Sequence, residues 1–281
     1  MGDLLKRGFI CLLLTFIVIV PVTSAGGAEV SLEKELRSDY IGIKSPGAYG
    51  TVLMDRYTGE GKAMKSVVFP HWAHRTKFTC KVCHNDMGFP MKAGASDIKM
   101  ADINAGKSCG QCHNGTDAFG ATSCNRCHSL GMDVPENGTI EEALKDLPRD
   151  GFGNHVDWVK ALRERKIEPK ATLDGTEEMW VFDKDIPLPV TKFSPHPPDV
   201  VYPHKGHTEW LHCGSCHPSV FNMKAGGNPE MSMRKIYGGQ YCGVCHGKVA
   251  FPLENCFRCH SHAPQKPPYP DTEDGVEKGK K

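Results

Sequence analysis

Apolar residues are unevenly distributed along this chain. One continuous run, Gly8 to Val20, stands near the start, preceded by Lys6 and Arg7 and closed by Pro21. Beyond it the pattern predicts no extended strands, only short helices with recognisable boundaries. Thr139 with Glu142 spells a capping box for one of them. Asn154 is placed to cap another, running through Trp158, Val159 and Leu162 and ending before Pro169. Pro187, Pro189, Pro195, Pro197 and Pro198 predict extended backbone in the stretch that follows. Residues 265–281 are proline-rich and then charged, the composition of a disordered tail.

The early apolar run has the form of a targeting segment. A basic start, an apolar middle and the small residues Thr23, Ser24 and Ala25 predict a signal peptide over residues 1–25 and an N-terminal extension over 26–66. The rival is a retained membrane anchor, but the run is shorter than the roughly 20 residues needed to cross a bilayer core. Cys11 lies at the start of the run and not its end, which argues against a lipoprotein site. The expectation is an exported, periplasmic protein.

Composition then adds one pointed fact. Hydrophobic residues are 39% of the chain and charged residues 24%, with a formal net charge of +1. That balance gives no argument for binding nucleic acid. It is thin in branched aliphatics, so something besides side chains is expected to supply part of the core. The excess lies in the 13 cysteines. Apart from Cys11, every one belongs to a Cys-x-x-Cys pair followed at once by histidine.

In chain order the sites are Cys80, Cys83 and His84 (site one); Cys109, Cys112 and His113 (two); and Cys124, Cys127 and His128 (three). Then come Cys213, Cys216 and His217 (four); Cys242, Cys245 and His246 (five); and Cys256, Cys259 and His260 (six). With 14 histidines in 281 residues, six adjacent ones by chance have a probability on the order of one in ten million or less. The spacing has a chemical reason. Two thiols three residues apart can add across the two vinyl groups of one haem, and the next residue then reaches the iron as an axial imidazole. Paired Cys-x-x-Cys arms could instead hold structural zinc, but the six histidines would then have no role. Thioredoxin-like redox pairs need a strand-to-helix setting that is absent. A disulfide scaffold would not pair each cysteine with its near neighbour at every site. The expectation is six covalently bound haem c groups.

The six sites form two groups that are copies of each other. Val67, Val68, Phe69, Pro70, His71 and His74 lead into site one. Val200, Val201, Tyr202, Pro203, His204 and His207 lead into site four, 133 positions later. Phe89, Met91, Lys92, Ala93 and Gly94 recur as Phe221, Met223, Lys224, Ala225 and Gly226. Sites two and five both begin Cys-Gly, and Ala118-Phe119 recurs as Ala250-Phe251 before the last site of each copy. A period held to within one residue marks a duplicated unit. The expected domains are a three-haem module at 67–131, a haem-free insert or linker at 132–199 and a second three-haem module at 200–264. The fold class expected is mainly α with much irregular structure and little sheet: two haem-cored modules joined by a partly helical insert.

These residues resemble the three-haem c7-type cytochromes, a branch of the class III multihaem cytochromes c. The resemblance rests on the Phe-Pro-His-x-x-His lead-in, the three-site spacing and the phenylalanine before the third site. It covers about 130 residues in two copies, and it looks like a tandem of two such modules. It implies a small helical fold with closely spaced haems and periplasmic electron transfer. It also implies that His71 and His204 are distal ligands of haems one and four, and His74 and His207 of haems two and five. In one place the chain departs from that pattern. The single-module family has a histidine four residues before the second site, where this chain has Ala105 and Gly238. Met100 and Met233 each stand nine residues before a Cys-Gly site with isoleucine three residues on, and thioether is an established axial ligand. They are the candidates for haems three and six. Packing is the more common role of methionine; Met91, Met223 and Met231 are rivals. Of the remaining histidines, His155, His196, His212 and His262, a surface or haem-propionate contact is the commoner role, and His155 and His196 are the best reserves.

Haems with both axial positions filled transfer electrons without an open site for substrate. The leading expectation is therefore no enzyme, but a periplasmic electron carrier between membrane donors and terminal or outer-membrane acceptors. Its partners would be redox proteins. The alternative is a multihaem reductase with an open haem at site three or six. A further option is association with a membrane complex through the insert.

Overall fold

The computed structural model describes residues 32–37, 44–129, 140–190 and 197–262. The segment expected to be a signal peptide, Thr139 of the expected capping box, His196 and the charged tail lie outside the described residues. The elements run α1 (Leu32–Arg37), β1 (Thr51–Met54), β2 (Val67–Pro70), α2 (His71–Arg75), α3 (Met100–Asn104), α4 (Cys124–Cys127), α5 (Ile140–Ala143), α6 (Trp158–Arg163) and β3 (Asp185–Leu188). The second copy adds β4 (Asp199–Pro203), α7 (His204–Thr208), α8 (Cys213–Cys216), α9 (Met233–Tyr237), α10 (Cys256–Cys259) and β5 (His260–His262).

The helices are short and the helical share is 29%, so "mainly α" overstates the architecture: irregular backbone dominates. There is also more sheet than the pattern predicted. β1 pairs antiparallel with β2, from Thr51 opposite Pro70 to Met54 opposite Val67. β4 is the middle strand of a second sheet in the order β3-β4-β5. These strands escape a periodicity test because they are only three to five residues long, too short to show alternation. β2 and β4 both end in proline, which has no N–H to extend a ladder and whose fixed φ suits a chain turning into a helix. Each strand therefore hands over directly to a single helical turn, α2 or α7.

Asp157, not Asn154, caps α6: its carboxylate accepts the Lys160 N–H at 3.0 Å. Asn154 instead accepts the Trp158 indole N–H at 3.1 Å. The described part of the insert packs against both copies. Phe78 bridges to Lys170, and Arg258 donates to Asp150. Ala161, Ile167 and Trp210 form a buried cluster with Cys80, Leu147, Trp158, Leu162 and Leu211 packed around it.

Candidate functional site

A residue and its neighbour three positions on share one face of a helical turn. That rule places His71 with His74 on α2 and His204 with His207 on α7. It also places both cysteines on the single turns α4, α8 and α10. Sites two and five use 3-10 turns instead, Ser108–Gln111 and Tyr241–Val244. Each turn is entered through a non-glycine residue in the left-handed region, Ser108 at φ +50° and Tyr241 at φ +51°. Two strained residues at equivalent positions show that the duplication extends to the backbone.

The glycine of each Cys-Gly pair has a steric reason. A Cβ on Gly110 would stand 1.9 Å from the Ile103 carbonyl oxygen, and one on Gly243 1.8 Å from that of Ile236. Only glycine lets the site turn lie directly on α3 or α9. The recurring isoleucines supply those carbonyls.

The histidine rings show a consistent arrangement. The His71 and His84 rings stand with centroids 6.3 Å apart and planes within 8°. His74 and His113 stand 6.1 Å apart, and His207 and His246 6.2 Å. Two imidazoles bound through Nε2 to one metal ion, at about 2 Å per bond with each centroid about 1.1 Å behind its nitrogen, can stand up to about 6.2 Å apart. No such ring pair among the described residues involves His128, His217 or His260. The His204 ring lies edge-on to Tyr202 at 4.9 Å and to Phe182 at 5.1 Å.

Hydrogen bonds orient nearly all these rings the same way. Nδ1 of His84, His113, His217 and His246 lies 2.8, 3.1, 2.7 and 3.3 Å from the carbonyls of Phe89, Phe119, Phe221 and Phe251. His128 and His260 use the Lys65 and Pro198 carbonyls at 2.7 Å each. His74, His204 and His207 use those of Pro70, Lys184 and Pro203 at 3.0, 3.1 and 2.8 Å. A carbonyl can only accept, so each Nδ1 carries the hydrogen and donates it, leaving the Nε2 lone pair available. This is the support that metal-bound imidazoles receive. His71 is the exception, its buried Nδ1 lacking a formed hydrogen bond. Burial holds His71 at about 3 and His246 at about 4, and lowers His74 and His207 as well. Neutral imidazole is the ligating form.

The recurring aromatics complete the pattern. Phe69 stacks on His74 at 4.4 Å and Tyr202 on His207 at 4.3 Å. Phe119 and Phe251 lie 4.3 and 4.2 Å from His113 and His246. Each phenylalanine that marks the repeat therefore packs on or hydrogen-bonds a site histidine.

The twelve cysteines of the motifs are unpaired. Burial raises the thiols of Cys83 and Cys242 to about 11 and that of Cys245 to about 12. Redox Cys-x-x-Cys pairs need the opposite shift. Among the described residues, no three His, Cys, Asp or Glu side chains converge as a metal site of their own. Met100 begins α3 and is 46% exposed; Met233 begins α9 and is half-buried. His155 and His262 are exposed, and His212 is exposed with its Nδ1 accepting the Gly214 N–H at 3.1 Å to cap α8.

Thiol pairs three residues apart, each followed by a histidine with a free Nε2, define a c-type multihaem cytochrome. The sequence profile described as "Cytochrome c7 and related cytochrome c" matches residues 67–129 and 200–261. A c7-type three-heme cytochrome domain is 38% identical over 30% of this chain and 99% of its own length, at a TM-score of 0.26. The C-terminal hexaheme fragment of GSU1996 is 28% identical, covering 75% of this chain and 96% of the fragment, at 0.25. The dodecaheme cytochrome c GSU1996 is 27% identical, covering 77% of this chain and 50% of its own, at 0.25. Nothing rests on superpositions this low; the sequence matches carry the assignment. No curated protein matches significantly. The chain belongs to the cytochrome c7 and related cytochrome c family. Proteins of that family bind covalent haem c, are generally electron carriers and are typically extracytoplasmic. Among the described residues no helix is long and apolar enough to cross a membrane.

Proposed function

We propose that this chain is a periplasmic hexahaem cytochrome that carries electrons between membrane donors and terminal or outer-membrane acceptors. The observation that carries the reading is the set of three imidazole pairs with centroids 6.1–6.3 Å apart. In each, one ring comes from a Cys-x-x-Cys-His motif and the other from the α2 or α7 turn. On this reading each motif's two cysteines hold one haem by thioether bonds and its histidine is the proximal ligand. His71, His74, His204 and His207 are distal ligands at sites one, two, four and five. Met100 and Met233 serve sites three and six. When bound, haem supplies one-electron Fe(III)/Fe(II) chemistry.

The protein's own contribution is orientation and dryness. Backbone carbonyls fix each tautomer, Phe69 and Tyr202 cover imidazole faces, and buried rings stay neutral. Filled axial positions would leave no site for a substrate. The chain would then serve redox partner proteins at its surface, with the bracing insert holding the two modules at 67–131 and 200–264 together.

A second reading, a reductase with an open haem, is favoured by one observation: among the described residues no imidazole pairs at this 6.1–6.3 Å distance with His128 or His260, or with His217, for which the lead-in supplies His204. Carbon monoxide separates the two readings. The purified ferrous protein of an electron carrier is expected to leave its low-spin spectrum unchanged under carbon monoxide. Binding at two haems would establish open sites and favour the reductase.

A further inference from the structure

Two observations single out Arg75. The first is that it breaks the repeat: 133 positions on, the equivalent residue is Thr208. Thr208 is short and uncharged; its hydroxyl donates to the His204 carbonyl and accepts the Phe182 N–H, both at 2.9 Å. The second is that the hydrogen-bond and ring partners of the Arg75 side chain lie outside its own copy. The guanidinium carbon stands 5.0 Å from the Trp158 ring centroid, in the insert, and 5.7 Å from that of Trp210, in the second copy. Its Nη2 donates to the Val249 carbonyl, also in the second copy, at 2.7 Å.

Arg75 therefore sits where three segments meet. Both of its tryptophans belong to the apolar cluster that Cys80 of site one also packs against. Cys80 and Cys245 lie within electrostatic reach of its guanidinium, and Cys80, Cys216 and Cys245 within reach of one another. Two bonds flank this meeting point: Ser215 donates across the copies to Asn85 at 2.6 Å, and the Gly50 N–H of the N-terminal extension donates to the Lys248 carbonyl of the second copy at 2.8 Å. Arginine suits such a place because its planar guanidinium stacks on aromatic faces while a fixed fork of N–H groups remains free to donate. Burial lowers its pKa from the ordinary guanidinium value, but arginine starts so high that it keeps its charge at working pH. A fixed positive charge in a partly dry interior favours the state of a neighbouring group that carries one more electron.

We infer that Arg75 locks the two copies into one body where sites one and five meet, and that its permanent charge raises the affinity of those two sites for an electron. The inference rests on the six-haem reading above. Each site takes up one electron as Fe(III) becomes Fe(II), with no bond made or broken. Arg75 touches neither haem iron nor substrate and acts as a positioning residue and a fixed charge.

The test is a potentiometric titration of the full-length holoprotein carrying Arg75→Gln or Arg75→Lys, with intact mass and low-spin spectra recorded alongside. Glutamine is neutral but can still donate to the Val249 carbonyl; lysine keeps the charge but lacks the planar fork. In R75Q two of the six potentials should fall, each by on the order of tenfold in the oxidised-to-reduced ratio, about 59 mV for one electron. R75K should hold its potentials near those of the parent. Both variants should be cut several-fold faster by protease within residues 140–190, where the insert is clamped. Unmoved potentials in R75Q, or an equal fall in R75K, would overturn the charge assignment. Unchanged proteolysis in both would overturn the lock. A parent protein short of six haem masses would sink the six-haem reading itself, whereas six haems with unmoved potentials in R75Q would sink the Arg75 inference alone.

Discussion

Replacing Gly243 by alanine is a small chemical change that the structure cannot absorb in place. The added Cβ would stand 1.8 Å from the Ile236 carbonyl oxygen and 2.8 Å from its carbon. Carbon and oxygen in close non-bonded contact need about 3.3 Å, so α9 and the Tyr241–Val244 turn would have to part by roughly 1.5 Å. Both clashing groups lie on helical backbone, so neither can swing aside as a side-chain tip would. Overpacking of this kind costs about 1–3 kcal/mol, and a backbone-on-backbone clash belongs at the upper end. In a chain of 281 residues, about 3 kcal/mol lowers the thermal midpoint by several degrees. The same movement displaces Cys242, Cys245 and the His246 ring that stands 6.2 Å from His207. The assay is thermal unfolding of the purified holoprotein together with haem content. Gly110→Ala, with its Cβ 1.9 Å from the Ile103 carbonyl oxygen, should behave alike. Gly151→Ala, which meets nothing within 4 Å, should stay within about 0.5 kcal/mol of the parent. Unchanged midpoints and spectra in G243A and G110A would refute the account of the Cys-Gly pairs.

The remaining predictions concern ligands and modules. His207→Ala removes one ring of an imidazole pair and should convert one haem to a high-spin form that takes carbon monoxide; an unaltered spectrum would show that His207 is no ligand. Met100→Ala should likewise open one haem, and Met100→His should lower one potential, since imidazole donates more strongly than thioether; if neither variant differs from the parent, Met100 only packs. A fragment of residues 200–264 carries its own lead-in histidines and three sites, so it should take up three haems. It lacks β3, and Trp210 loses Ala161 and Ile167, so a fragment beginning at residue 140 should melt several degrees higher, and equal midpoints would contradict that role for the insert.

What was legible in the sequence was whatever chemistry forces to be local. Haem attachment needs two thiols and a histidine within five consecutive residues, so each motif was visible without knowledge of the fold. The lead-in histidines were visible because the duplication repeats them. The sheets were harder, because strands such as Val67–Pro70 stop at a proline before alternation can develop. The cap of α6 was misplaced from Asp157 to Asn154, since either side chain could accept near that helix start and only packing of the Trp158 indole decides between them. Arg75 was not visible from its neighbours, for its partners lie as far as 174 residues away. Subtracting one copy from the other would have flagged it, because Thr208 stands in its place. The carbonyls that orient the histidines are also backbone groups, with no signature of their own; the phenylalanines recurring beside them were the only trace.

The central claim is that all six motifs carry haem. Intact-mass analysis of the mature protein, made in a host with full haem-attachment machinery, tests it most directly. Six motifs of the same form, each with a histidine whose Nδ1 is held by a backbone carbonyl, predict a mass above that of the polypeptide by six haem masses. A mature protein that stops at four or fewer would contradict the account.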